Sequence, residues 1–393
     1  MYLFKNGSDE KNGHGGFSAF LWGCCVYLFK YYRPDFFFDK AIRYNEFYFS
    51  STEQLNDPND LKTSYYFEDD VSLWQRVLEK ETFLGVKDLK VFLDLDGNHL
   101  AKQLCRIFLG CSIDGSIEDL QLMFKRYDSD VASALSLHIN KNNLIDKGLL
   151  EDSDESMSQL ISLCSNGIRE RILKGLRVGV YSVSFSKNAL EPMMWAHYAA
   201  GFKGCVVIYN APDNIIPLKR NIYSDEYINY PVDSVEYRDH EKHIPILKSV
   251  LQDDLAIRET LLAKNKFWHY EVEKRVFLTK KYITQSLGGL NFALSNDNSD
   301  RIFHHDPSLI AGIIFGPGFD RNKKESLELL LRDNRRHKPC SQFYFFDTKL
   351  TSAGTIKIVR GKEIESSFKT GNSGEISIKK LPGILNQLGI TKT

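Results

Sequence analysis

Two sets of β-prone segments in this chain are held apart by residues 71–175, which carry the pattern of amphipathic helices. A sheet drawing on both sets is discontinuous in sequence, with early strands at residues 26–32 and 47–50 and later ones from residue 178 onward. The helical stretch then reads as an insertion into an α+β core. The organisation expected is residues 1–70 as the N-terminal part of that core, 71–175 as the helical insertion, 176–347 as the remainder of the core, and 348–393 as a small, separately packed β-rich appendage. With 393 residues, one elaborated domain accommodates all four parts.

Local signals place the elements. Pro34 ends the first aromatic run, residues 35–44 have helical spacing, and residues 47–50 are β-prone again before the turn signal Asn56-Asp57-Pro58-Asn59-Asp60. In the helical stretch, Trp74, Val77 and Leu78, and later Leu150, Met157, Leu160, Ile161 and Leu163, fall at helical spacings. Strands return at 178–186, 204–209 and 234–237, a helix is expected over 246–264, and β-prone runs follow at 270–278 and 310–315. The run at 310–315 is fully apolar, as in strands buried on both faces.

Composition narrows the function classes. Lys+Arg and Asp+Glu both number 51, so no net field draws the chain to nucleic acid or anionic lipid. Cysteines at 24, 25, 105, 111, 164, 205 and 340 form no C-x-x-C pair and no disulfide framework, which points to reduced thiols and a cytoplasmic protein. The apolar stretch 17–29 is 13 residues long, short of the roughly 20 a spanning helix needs. No membrane association is expected.

Three constellations could carry chemistry. If residues 268–275 form a strand, alternation puts Glu271, Glu273 and Arg275 on one face, with the two carboxylates roughly 7 Å apart beside a guanidinium. Such a face is either a site or a solvated strand surface. Ser182, Ser184 and Ser186 share one face of a strand expected to be central, where their hydroxyls need partners from a ligand or from neighbouring backbone. Downstream, Trp195, His197 and Tyr198 on a short helix suit a pocket that stacks and hydrogen-bonds a planar ring, although a histidine beside aromatics is more often a core residue. Asn56 and Asp57 could hold a fixed turn at the rim of the same cleft. His304-His305-Asp306 lacks a third ligand at suitable spacing, and no metal is expected. Phosphate-loop, dinucleotide-fold and zinc-protease motifs are absent, as is G-x-S-x-G.

Taken in order, these residues resemble a known family. Tyr31-Tyr32-Arg33-Pro34, Phe47-Tyr48-Phe49-Ser50-Ser51 with Leu55-Asn56-Asp57-Pro58, Ser184-Phe185-Ser186, Met194-Trp195-Ala196-His197-Tyr198 with Gly204, and Trp268-x-Tyr270-Glu271-x-Glu273-x-Arg275 follow the order seen in the bacterial domain of unknown function 2971 family. Asn59 and Lys274 depart from the aromatic residues usual there. A more distant resemblance is to ADP-ribosyltransferases of the Arg-Ser-Glu type, through Arg33, Ser182/Ser184/Ser186 and Glu271-Val272-Glu273. It implies a split mixed sheet and NAD as the substrate. Arg33 would anchor NAD, the serines would shape the nicotinamide pocket, Glu273 would bond the ribose, and Glu271 would orient an acceptor, macromolecular or small. It also implies a toxin or phage-defence effector with a neutralising or defence-system partner. On this reading Glu273→Gln leaves folding little changed. Two other classes remain open: a non-catalytic module binding a small ligand through Trp195–Tyr198, and a nuclease holding Mg²⁺ with Glu271, Glu273 and Asp57 or Asp60.

Overall fold

A computed structural model of the chain describes residues 26–51, 54–55, 64–79, 97–114, 117–148, 150–176, 178–239, 243–251, 258–259, 261–281, 285–287, 290–292, 298–334, 342–365 and 373–390. The β-prone runs assemble into one 13-stranded sheet: β1 (Tyr27–Tyr32), β2 (Glu46–Tyr48), β3 (Ser50–Ser51), β4 (Val178–Ser186), β5 (Cys205–Asn210), β6 (Ile215–Lys219), β7 (Ile228–Ser234), β8 (Glu273–Lys281), β9 (Ile302–His305), β10 (Ile310–Phe315), β11 (Gln342–Leu350), β12 (Ile356–Glu365) and β13 (Ser373–Glu375). Their order across the sheet is β2-β9-β6-β7-β8-β4-β1-β5-β10-β11-β12-β13, with β3 joining β4 off that path. Among these strands β10 and β11 pair in parallel and the other pairs are antiparallel, so the chain is an α+β protein with a mixed sheet.

The helices are α1 (Phe36–Arg43), α2 (Val71–Glu79), α3 (Gly97–Ile107), α4 (Ile117–Arg126), α5 (Asp128–His138), α6 (Lys141–Asp146), α7 (Asp154–Leu176), α8 (Pro192–Tyr198), α9 (Ile246–Leu251), α10 (Arg321–Asn334) and α11 (Leu381–Gln387). Asp35 starts α1 by accepting the Phe38 N–H at 3.1 Å, one residue after Pro34 has ended the strand direction. Phe38 and Ile42 of α1 and Leu327 and Leu331 of α10 pack on one face of the sheet, against Val183, Phe185, Val207 and Ile313. Trp195 of α8 and the α11 region pack on the other face, against Phe29, Val206, Ile208 and Ile314. Strand β5 lies between β1 and β10 with both faces covered, which is why Cys205-Val206-Val207-Ile208-Tyr209 reads as an unbroken apolar run.

The helices α2 to α7 have a separate core, centred on Trp74, Leu100, Phe108, Leu135 and Ile172. They also recruit α9, whose Ile246, Leu247 and Val250 enter the same core. Glu68 fixes that junction: its carboxylate oxygens accept the Leu247 and Lys248 N–H groups at 2.8 Å each, an anion on the positive end of α9. Leu163, expected on the apolar side of α7, is 49% exposed; Cys164 and Leu160 fill the core instead.

Three expectations change. The C-terminal tail is not a separate appendage, because β12 and β13 extend the main sheet and Leu388 and Ile390 complete the core around Trp195. The helix expected over 246–264 is helical among the described residues at 246–251, 258–259 and 261 but stops short of its expected end, because Ala263–Asn265 is a short strand parallel to Glu236–Arg238. Asn265 then caps a 3₁₀ turn over Lys266–Glu271 by accepting the Phe267 N–H at 2.9 Å, so β8 begins at Glu273 rather than near 270. Among the described residues no helix is long and apolar enough to cross a membrane.

Candidate functional site

The site forms where the sheet splits. Strand β4 pairs along one edge with β8, but its other edge is shared: β1 meets it at Phe29↔Ser186, and β3 at Ser50↔Ser182 and Ser51↔Tyr181. Ser184 lies between those two contacts. Its carbonyl accepts the Lys30 ammonium at 3.1 Å in place of a ladder hydrogen bond. A cavity of about 180 Å³ opens along this gap, bounded by β1, β2, β3, β4, α8 and the segment from Lys264 to Arg275.

Glu271 and Glu273 reach the cavity by a route that simple alternation does not describe. Glu271 ends the 3₁₀ turn, Val272 adopts left-handed angles (φ 41°, ψ 53°), and Glu273 opens β8. For a β-branched residue that conformation costs about 1–3 kcal/mol, and here it aims two adjacent carboxylates at one point. Glu271, Glu273 and Arg275 are 3%, 6% and 1% exposed, which overturns the solvated-face reading.

Every carboxylate oxygen is engaged. Tyr198 Oη donates to Glu271 Oε1 at 2.6 Å, and Lys264 Nζ donates to Glu271 Oε2 at 2.6 Å and to Glu273 Oε2 at 3.2 Å. Arg275 closes a fork on Glu273, with Nε to Oε1 at 2.7 Å and Nη2 to Oε2 at 2.9 Å, and its Nη1 is anchored on the Leu261 carbonyl at 2.7 Å. Lys264 also lies 5.1 Å from the centre of the Trp268 ring.

The two carboxyls are driven apart electrostatically. Burial pushes Glu273 up, but Arg275, Lys264 and the Ser184 hydroxyl together outweigh it and hold the group down at about 2. Glu271 is raised: burial, reinforced by the Glu273 charge, wins over Lys264 and Tyr198. The Tyr198 phenol is itself pushed far up, first by burial and then by Glu271, so it remains a donor. Tyr198→Phe is expected to raise the Glu271 titration further and to cost about 1.5–3 kcal/mol, the range for a hydrogen bond to a charged group. A ¹³C carboxyl titration and a denaturation curve would read the two effects; an unmoved Glu271 would mean this bond does not set its charge.

The serines divide between roles. Ser184 supports Glu273, Ser182 lines the cavity opposite Ser50, and Ser186 is a backbone staple whose hydroxyl donates to the Glu271 carbonyl at 2.6 Å. Trp195 is fully buried, its Nε1 donates to the Ala189 carbonyl at 2.9 Å, and its ring stands edge-on to Tyr31. It packs the core and leaves the cavity wall to Tyr198. His197 is exposed, its ring 6.3 Å from that of Tyr198, and Arg33 is also exposed, reaching the His197 carbonyl at 3.3 Å. Neither lines the cavity, and for Arg33 the reason is that Pro34 and the start of α1 turn the chain away immediately after β1. Asn56 and Asp57 lie outside the described residues; the cavity wall extends to Gln54 and Leu55.

Sequence reasoning missed Lys264 and Lys30. Lys30 had a signal, as the lone charge in the aromatic run Tyr27-Leu28-Phe29-Lys30-Tyr31-Tyr32. Lys264 had none, since a helix was expected there. Its ammonium now occupies the space between the two carboxylates where a bridging metal ion would have to lie. Among the described residues no group of three or more His, Cys, Asp or Glu side chains is placed to hold a metal.

These features define an α+β protein with a buried, charge-dense cleft at a split in a mixed sheet. Residues 194–276 match the model of a family described as Protein of unknown function (DUF2971), in support of the resemblance to that family read from the sequence. The match runs from Met194 on α8 to Val276 on β8 and so spans Tyr198, Lys264, Glu271, Glu273 and Arg275. No curated protein and no solved structure matches the chain.

Proposed function

We propose that the cleft performs glycosyl transfer from NAD, in the manner of the ADP-ribosyltransferases that the Arg-Ser-Glu order resembles. The observation that carries this reading is the pair of buried carboxyls, one held anionic and one raised, separated by a single ammonium beside the serine strand. Paired carboxyls with divergent acidities divide an electrostatic role from an acid–base role. As the bond between nicotinamide and ribose C1′ breaks, its electron pair leaves with nicotinamide and positive charge develops on the ribose. Anionic Glu273 favours that charge more in the transition state than in the ground state. Glu271 takes the proton of the acceptor hydroxyl, or of water, as its oxygen bonds to C1′. A role as a toxin or phage-defence effector, with a neutralising partner, would follow from such chemistry.

A second reading is favoured by the cavity itself. At about 180 Å³ it is below the roughly 300–1,000 Å³ that encloses a drug-sized ligand, so it admits one end of a dinucleotide or a small polar molecule whole. With all carboxylate oxygens already bonded to protein groups, such a molecule could be bound without turnover.

Nicotinamide release from NAD by the purified chain separates the two. Turnover is expected, with Glu271→Gln reducing transfer to an acceptor more than release itself. Stabilisation of the protein by NAD without release would favour the binding module, and neither effect at millimolar NAD would remove the transferase reading.

A further inference from the structure

The split in the sheet leaves a charge imbalance. Lys30, Lys264 and Arg275 line the cavity against Glu271 and Glu273, three cations against two carboxylates. Arg275 and Lys264 are spent on those carboxylates through four hydrogen bonds. Lys30 is placed differently. Its hydrogen bond among the described residues is to the Ser184 carbonyl, and its Nζ lies 5.6 Å from the ring centres of both Tyr32 and Phe185. An ammonium has three donors, so two remain for whatever enters the gap.

We infer that Lys30 forms an oxyanion subsite at the sheet split, which takes a phosphate group of the ligand. The hydroxyl-bearing residues Tyr48, Ser50 and Ser182 line the same gap, and a phosphate, with several acceptor oxygens, suits a wall of hydroxyls around one cation. Burial pushes the Lys30 amine down to about 8, with Glu273 partly opposing, as fits a cation held without a full counter-charge. An anion in the gap supplies that charge. The inference rests on the cleft being the ligand site proposed above, and is independent of whether glycosyl transfer occurs there.

Calorimetric titration of the full chain with ADP-ribose, inorganic pyrophosphate and nicotinamide riboside tests it. ADP-ribose and pyrophosphate are expected to bind wild type with affinity that falls as salt is raised. Lys30→Met should weaken both by about 10- to 100-fold, the range of a lost charge-assisted hydrogen bond. Nicotinamide riboside, which carries no phosphate, should lose nothing, and Lys30→Arg should restore part of the phosphate-dependent affinity. Equal losses for all three probes, no loss, or no binding of the phosphate-bearing probes to wild type would overturn the subsite. Should Lys30→Met not fold, the Lys30→Arg variant and the wild-type salt dependence decide the matter, and salt-independent binding overturns it. Lys30-dependent binding of NAD without nicotinamide release would leave the subsite standing and remove the transferase. Nicotinamide release with KM unchanged in Lys30→Met would do the reverse.

Discussion

Glu273→Gln is expected to lower folding stability by about 3–5 kcal/mol, the cost of breaking a buried ion pair and leaving its partners uncompensated. Arg275 and Lys264 are both buried on this carboxylate, so loss of its charge leaves two cations without it in a water-poor site. The sequence alone led to the opposite expectation, that this substitution leaves folding little changed, and the buried ion pair is the reason for the difference. The effect should depend on pH with a definite sign. The folded-state value of about 2 lies below the ordinary 4.5, so the carboxylate stabilises the fold fully above 4.5 and loses that contribution as pH falls toward 2. The stability gap between wild type and Glu273→Gln, measured by denaturant unfolding, should therefore narrow below pH 4.5. A constant gap would show that the charge is not what the substitution removes. At a temperature where both proteins are folded, nicotinamide release should in addition fall by about 10²–10³, the cost of one transition-state electrostatic partner.

Trp195→Ala should cost about 3–5 kcal/mol, as for other fully buried large aromatic side chains. The indole touches no cavity surface; it fills the core between α8 and the sheet and fixes the Ala189 carbonyl. The following loop is equally constrained. Ala200, Gly201 and Phe202 have φ of 50°, 61° and 68°, and a Cβ on Gly204 would meet the Tyr32 carbonyl oxygen at 2.1 Å. Collapse around a missing indole would shift Tyr198 with α8, so ligand affinity should fall together with stability. A Trp195→Ala protein as stable as wild type but unable to bind ligand would place the indole against the ligand after all.

Much of the sheet was legible because strand identity is a local property. Val178–Ser186 alternates and Ile310–Phe315 is uniformly apolar, and each became the strand its period indicates. The family-like motifs also located the cleft, since the Ser184 and Glu271–Arg275 segments are neighbours across one ladder, Arg275 opposite Ser184. Assignment of cations failed. Arg33 looked like the basic residue of the first strand, yet Pro34 and the Asp35 cap turn it outward, and Lys30, hidden in an aromatic run, enters the gap.

The sequence by itself determined that the chain is α+β, that its sheet is interrupted by a helical region, and that a serine strand and a Glu-x-Glu-x-Arg segment belong to it, because hydrophobic period and turn chemistry are written within a few residues of each other. Tertiary structure alone decided that β3 and β1 share one edge of β4, that the tail extends the sheet, and that Lys264 stands between the two glutamates. Those outcomes depend on which segments, distant in the chain, bury the same surface. The charge state of each carboxylate depends on them in turn, since burial raises a carboxyl and a cation within hydrogen-bond reach lowers it.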